Sequence, residues 1–341
     1  MALIDEVLKF REAQLGCVIN RENVFVRLNI DSGGRNPSLT KLSMSLIIPE
    51  HGDMASNDSH KNSFVLASTS SYEQFSVVEA LWCAANVEEI IKKYEIRLTC
   101  DLKMVDNMFQ LAGAGQSKYP CVRCLWRNRL TNKEINEGIT PYTSAPLRKG
   151  FDQWKEFLSW VPEGGKGGRN NFGVRGLPVS EYVTNHIGRI VMPPELHVHL
   201  GIINTCVIPR IEQKLGKEKI AEWELEAGTC KKEYFEGQYN GNGCSKLAAK
   251  CECLKTDAPE IYDVLQKYKK LKKHVFKKRN NLTLDDVEKC RETIKLFMEA
   301  WKEAELRVTH KLHWMKEHAM SVIEHERRTL AFYAGLYIFD A

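Results

Sequence analysis

The chain is 341 residues long, enough for one large or two ordinary domains with a sizeable buried core. Its 43% hydrophobic and 27% charged residues match a soluble globular protein, and no apolar run approaches the ~18–20 residues that cross a bilayer, which argues against a membrane partner. A net charge of +5 fits an acidic partner without requiring one.

Met1 to Leu15 scatters charges among its apolar residues, unlike a signal peptide, so the eleven cysteines are expected as thiols or metal ligands rather than disulfides. Val24 to Ile30 alternates loosely and ends at Asp31-Ser32-Gly33-Gly34, a turn signal. Leu42, Met44, Leu46 and Ile48 then repeat with a period of two, and Ser63 to Thr69 reads as a third strand beyond the polar stretch from His51 to Asn62. Tyr72 to Tyr94 shifts to a helical period, with Phe75, Val78, Leu81, Trp82, Ala85 and Ile90 on one face. Glu95 to Cys100 is a fourth strand ending at Asp101, and Leu102, Val105, Met108, Phe109 and Ala112 resume a helix. Three strands, a helix, a strand and a helix is the order expected of a ribonuclease-H-like sheet, although many α/β arrangements share it.

From Arg127 onward the character changes. A flexible, Gly-rich run occupies 163–168, and helical patterns dominate after it. Pro193-Pro194 opens one along Leu196, Leu200, Ile203, Val207 and Ile211. Ile261 to Val275 and Val287 to Trp301 supply two more, and no internal repeat is visible.

Four constellations could carry chemistry. Asp31 and Asp101 each follow a strand, and carboxylates on neighbouring strands could hold magnesium ions. A Gly-rich turn at Asp31 and a helix cap at Asp101 explain the same residues on spacing alone. Cys121-Val122-Arg123-Cys124 could supply two thiolates to one zinc, with His313 and His318 as the other ligands. Those histidines lie roughly 5 × 100° apart on an ideal helix, so their rings diverge unless the helix breaks or distorts. An unmetallated thiol pair and two ordinary helix histidines remain the alternative.

The third is a basic face of Lys267, Lys269, Lys270, Lys272, Lys273, Lys277, Lys278 and Arg279, which could neutralise phosphates or merely solvate a helix. The fourth, Tyr239-Asn240-Gly241-Asn242-Gly243, precedes a helix expected near Ser245. It could offer backbone N–H groups to a phosphate or form an ordinary Asn-Gly turn. His197 and His199 have no further ligands at useful spacing and read as structural.

In order and spacing these segments resemble the transposase core of the Transib elements and the catalytic subunit of the V(D)J recombinase. They are similar, too, to a broad group of transposon-derived animal proteins. The resemblance covers residues 24 to 337 and rests on Asp31, on Asp101 twenty residues before Cys121, on Cys121, Cys124, His313 and His318, and on Asn240-Gly241-Asn242 inside the insertion. Glu195-Leu196-His197-Val198-His199-Leu200-Gly201 matches a segment preceding that element. It implies an α/β fold, a ribonuclease-H-like mixed sheet with a large, mainly helical insertion. The core would begin in 20–126, the insertion would fill 127–305, and a C-terminal helix over 306–341 would return to the core.

The resemblance also implies two catalytic aspartates, Asp31 and Asp101, holding magnesium, and a structural zinc tying the insertion to the core. DNA would be the partner, bound along Lys269, Lys270, Lys272, Lys273, Lys277 and Lys278, in the nucleus; a homodimer is left open. The family's third carboxylate, a Glu, is expected near Ile338, where Asp340 is the nearest acid, and no N-terminal DNA-binding region precedes the first strand. The expectation is therefore a degenerate enzyme, truncated at both ends, that binds DNA and cleaves or transfers strands little or not at all. A domesticated, zinc-organised interaction module without a nucleic-acid role is the alternative. A nuclease recruiting Glu324 or Glu326 is a third.

Overall fold

A computed structural model describes residues 2–33, 39–48, 63–71, 74–113, 117–127, 129–159, 172–192, 195–232, 237–275 and 283–329. The fold is mixed α/β, and the chain divides into two compact units. Met1–Leu125 and Pro146–Met192 make up most of one, Trp126–Ala145 and Pro193–Arg327 most of the other.

The strands are β1 (Phe25–Gly33), β2 (Leu39–Ile47), β3 (Ser63–Thr69), β4 (Glu95–Thr99) and β5 (Val191–Met192). Helices α1 (Ala2–Leu15), α2 (Phe75–Ala84), α3 (Val87–Lys93) and α4 (Leu102–Met108) precede α5 (Asn132–Asn136). Then come α6 (Phe151–Ser159), α7 (Glu181–Asn185), α8 (Ile187–Ile190) and α9 (Glu195–Leu200). The long helices α10 (Ile208–Ala227), α12 (Pro259–His274), α13 (Leu284–Glu303) and α14 (His310–Thr329) dominate the second unit, with α11 (Gly241–Ala249) among them.

The first unit is built on a five-stranded sheet in the order β3-β2-β1-β4-β5. β2 runs antiparallel to both β1 and β3, whereas β4 runs parallel to β1 and β5 parallel to β4. Alternation along β1 decides its two faces, since successive side chains point to opposite sides of a sheet. Val26, Leu28 and Ile30 are buried together with Leu42, Met44 and Leu46 of β2 and Ile96 and Leu98 of β4. Helix α2 packs against β2 and β3 and buries Val77, Val78, Leu81 and Trp82. Arg27, Asn29 and Asp31 fall on the opposite side, level with Arg97 and Thr99 and with Ser43 and Ser45.

Several boundaries differ from the sequence reading. The strand around Ile30 does not turn at Asp31 but continues to Gly33, pairing Asp31 with Lys41. The helical period from Tyr72 to Tyr94 is divided between α2 and α3, because Asn86 adopts φ 51°. Asn is among the few residues that visit this left-handed region readily, so the chain can restart at a new angle. Helix α4 stops at Met108, short of Ala112, and Gln110 follows with φ 52°. The two-residue β5 was not foreseen; a strand that short leaves no period to read. The Gly-rich run at 163–168 and the polar stretch from 51 to 62 lie outside the described residues.

A glycine at 173 is a requirement of the first unit. Its φ is +72°, and an added Cβ would lie 2.6 Å from the Cα of Ser117 and 2.0 Å from its Oγ. Backbone cannot yield as a flexible side chain can, so Gly173→Ala is expected to destabilise by about 2–3 kcal/mol. Chemical denaturation checks this: an unchanged midpoint would contradict the close approach.

The second unit packs α12 along α13, with Tyr268, Leu271, Phe297 and Trp301 fully buried. Each helix buries a stripe at the spacing read from its sequence, Ile261, Leu265, Tyr268 and Leu271 on α12 and Val287, Cys290, Ile294, Phe297 and Trp301 on α13. Thr283 opens α13 with a capping box closed by Asp286. Between α9 and α10 the chain makes a wide, π-helical turn over Gly201–Val207. Its Asn204 donates to the carbonyl of Tyr239 (2.8 Å) and accepts from the Tyr239 N–H (3.1 Å), fixing the segment that leads into α11.

Candidate metal centre

Cys121 and Cys124 lie on an irregular segment stapled to residues 146–148. The Leu125 N–H donates to Pro146 O, and the Arg148 N–H to Arg123 O, both at 2.9 Å. The Arg148 side chain reinforces this staple. Its Nε donates to the carbonyl of Cys121 (2.9 Å) and Nη2 to that of Tyr119 (2.7 Å), with the guanidinium 4.6 Å from the Trp154 ring centroid.

Arg123 and Arg148 are both buried. Burial pulls each guanidinium down to about 10, while the charges on Cys121 and Cys124 push back up, so both remain cations at neutral pH. Two buried positive charges complement a pair of thiolates, the form in which cysteine binds zinc.

The imidazoles come from α14. Trp126, two residues after Cys124, stacks on His313 with centroids 4.4 Å apart and planes 12° from parallel. It also lies over His310 at 6.4 Å and donates its indole N–H to Pro141 O at 3.0 Å. His313 and His318 stand edge to face, with centroids 5.1 Å apart.

The ligand atoms of Cys121, Cys124, His313 and His318 all lie within 4.8 Å of one another, and all four residues are buried. These residues are positioned to bind a metal. A tetrahedral ion with bonds of ~2.0–2.3 Å sets its ligands roughly 3.3–3.8 Å apart, inside the 4.8 Å that bounds these four atoms. Two sulfurs and two nitrogens without an open position suit zinc in a structural role. The helix carrying the histidines is continuous, where the sequence reading required it to break or distort. A residual divergence of roughly 140° is spanned by the length of the two side chains, whose rings meet at one flank of the helix.

The two aspartates follow the paired stretch of β1 and β4. β1 and β4 pair at a constant offset of 70 positions, from Phe25 with Glu95 to Asn29 with Thr99. Asp31 comes two residues after the last of these pairs, still within β1, and Asp101 comes two residues after the end of β4. Asp101 also caps α4, its Oδ1 accepting from the Met104 N–H at 2.6 Å. Among the described residues, no third ligand completes a metal cluster at this pair. Glu324 is held by Nη2 of Arg291 at 2.5 Å; the side chain of Glu326 and the region around Ile338 and Asp340 lie outside the described residues.

The α12 lysines do not behave alike. Lys267 pairs with Asp263 at 2.6 Å, Lys269 and Lys272 are half-buried, and Lys270 and Lys273 are exposed. Lys277, Lys278 and Arg279 lie outside the described residues. Asn240 caps α11, accepting from the Gly243 N–H at 2.9 Å, so the helix begins four residues before the expected Ser245. A Cβ added at Gly241 would lie 2.6 Å from Leu196 Cδ1, the mobile end of a side chain that would have to shift.

Trp126 and Arg148 were not anticipated. Both act through backbone carbonyls and stacking, which no ligand spacing encodes. No protein-family model matches the chain, and a comparison with curated proteins finds no match.

Proposed function

We propose that the chain is a transposase-derived, DNA-binding protein on a ribonuclease-H-like core. In this reading a zinc ion at Cys121, Cys124, His313 and His318 organises it, and Asp31 and Asp101 form a residual magnesium site. The observation that carries the reading is the parallel pairing of β1 with β4, since Asp31 and Asp101 each come two residues after the last pair, Asn29 with Thr99. Three consecutive antiparallel strands, two helices and a parallel strand returning beside the first support the same core.

Oxygen ligands suit magnesium, and two carboxylates offset its charge. Bound there, the ion would polarise a phosphodiester and activate water or a hydroxyl. Asp101 would offer the oxygen that α4 does not use, while Asp31 would approach from the neighbouring strand.

The test separates metal binding from folding. Asn caps a helix as well as Asp does, so Asp101→Asn should leave the melting temperature unchanged, whereas Asp101→Ala costs about 1 kcal/mol. Asp101→Asn and Asp31→Asn should each abolish Mn²⁺ binding followed by electron paramagnetic resonance. Labelled duplex DNA should bind with an affinity that falls steeply with salt. Binding of neither manganese nor DNA would remove the proposal.

A zinc-organised interaction module without a nucleic-acid role is the second reading, and the ion pair between Lys267 and Asp263 favours it by removing one cation from the α12 face. DNA affinity insensitive to neutralising Lys270 and Lys273 would decide for that reading.

A further inference from the structure

A second polar cluster lies within the helical unit, where α9, α11 and α12 meet. His199 is buried, and its Nδ1 accepts the hydroxyl proton of Tyr268. Its Nε2 faces the carbonyl of Gly241 at 3.2 Å and Ser245 Oγ at 3.1 Å. A carbonyl can only accept, so Nε2 carries the hydrogen and shares it between these two oxygens. Lys272 Nζ donates to the same Ser245 Oγ at 3.0 Å.

The arrangement superficially matches a serine nucleophile, a histidine base and a tyrosine orienting that base. It cannot work that way. The nitrogen facing Ser245 already bears a proton, and burial, followed by the charge of Lys272, holds the imidazole down at about 3. His199 therefore stays neutral at any physiological pH and takes no proton from serine.

What the cluster leaves over is positive charge and a donor. Ser245 Oγ accepts from both His199 and Lys272, so its own hydroxyl proton is directed away from them, and among the described residues it finds no acceptor. Lys272 is half-buried, and among the described residues no carboxylate pairs with it. Lys267, one and a half turns earlier, has Asp263 for that purpose. Placing an ammonium partly out of water without a counter-charge is costly, and an incoming anion removes that cost.

We propose that Ser245 and Lys272 form a binding site for a phosphate group, with Lys272 as its counter-cation and Ser245 as a hydroxyl donor. The ammonium and the hydroxyl share one oxygen contact, so both can reach oxygens of one tetrahedral oxyanion. His199, fixed by Tyr268 and Gly241, acts as a positioning residue that keeps Ser245 Oγ an acceptor and turns its proton outward. A free phosphate and a phosphodiester in a nucleic-acid backbone present the same oxygens. The site therefore stands whether or not the chain binds DNA.

The full chain is titrated with inorganic phosphate, followed by isothermal calorimetry, and in parallel with a fluorescent single-stranded 20-mer oligodeoxynucleotide, followed by anisotropy at fixed salt. Ser245→Ala and Lys272→Met should each weaken binding in at least one arm by about tenfold, the worth of one charge-assisted hydrogen bond. Lys272→Arg, which keeps the charge, should restore most of it. Melting temperatures of the variants within about 2 °C of the parent certify the fold. Loss confined to inorganic phosphate assigns a free phosphate ligand; loss of oligonucleotide affinity, with phosphate as competitor, assigns a nucleic-acid backbone. Parent-like affinities in every folded variant, or no binding of either probe to the parent, overturn the proposal. DNA binding that ignores both substitutions overturns it while leaving the DNA reading intact.

Discussion

Removing the metal from Cys121, Cys124, His313 and His318 is expected to lower the melting temperature by about 10 °C or more. A structural zinc contributes on the order of 10 kcal/mol to the folding of small zinc-binding peptides. In a chain of this size each kcal/mol is worth roughly 2–4 °C, so retaining even a third of that contribution produces the shift. Burial makes the loss felt, because all four ligands are inside the protein and water cannot take the ion's place without entering the core. Calorimetry with and without a strong chelator measures it, with back-titration of zinc as control, and Cys121→Ser should reproduce the chelated state. The effect should be reached at lower chelator concentration as pH falls, because thiolates and neutral imidazoles must be deprotonated to hold the ion. Equal melting curves for the native, chelated and Cys121→Ser protein would mean that the four residues hold nothing.

Trp126→Ala is expected to cost about 3–5 kcal/mol and, separately, to weaken zinc affinity by about 10- to 100-fold. The first effect is a cavity: Trp126 is almost fully buried, and truncating it removes the volume of an indole from the core. The second is orientation. The stack on His313 and the hydrogen bond to Pro141 set the plane in which that imidazole approaches the ion. Trp126→Phe separates the two, since a smaller ring retains most of the stacking and loses the N–H donor. Competition with a chromophoric zinc chelator gives the affinity and denaturant unfolding gives the stability. A Trp126→Ala protein as stable as its parent, with unchanged zinc affinity, would rule out the orienting role.

Much of the first unit was legible in the sequence, for a reason visible in β1. Val26, Leu28 and Ile30 point one way and Arg27, Asn29 and Asp31 the other, and a period of two survives any uncertainty about where the strand ends. The boundaries of β3 were read directly, since Ser63 to Thr69 is bounded by polar segments. The alignment of β1 with β4 was not legible, because register depends on how strands meet and not on either strand alone. The split between α2 and α3 escaped for a related reason. One left-handed residue at Asn86 ends a helix without disturbing the apolar period on either side of it.

The Cys-x-x-Cys pair and the two histidines could be nominated from spacing, but the residues that hold each pair in place follow no spacing rule. Arg148 fixes the thiol segment through two carbonyls, and Trp126 stacks on His313 of α14. His313 and His318 diverge on an ideal helix, and the reach of their side chains, which spacing does not encode, spans that divergence. The polar cluster of His199, Ser245, Tyr268 and Lys272 draws on residues more than seventy positions apart, and no local pattern links them.

The wide turn at Gly201–Val207 sets the phase of everything around it. A π-helical turn holds one residue more than the α-helical turn it replaces, and each residue rotates a helix by about 100°. Deleting one residue there would leave an α-helix of ordinary pitch through that turn and every remaining side chain chemically intact. It would also swing α9 through more than a quarter of a revolution against α10, carrying His199 away from Tyr268 and taking Asn204 off the backbone of Tyr239. The alignment of this unit's polar contacts is therefore stored in the count of residues in one turn, where composition and hydrophobicity would register almost no change.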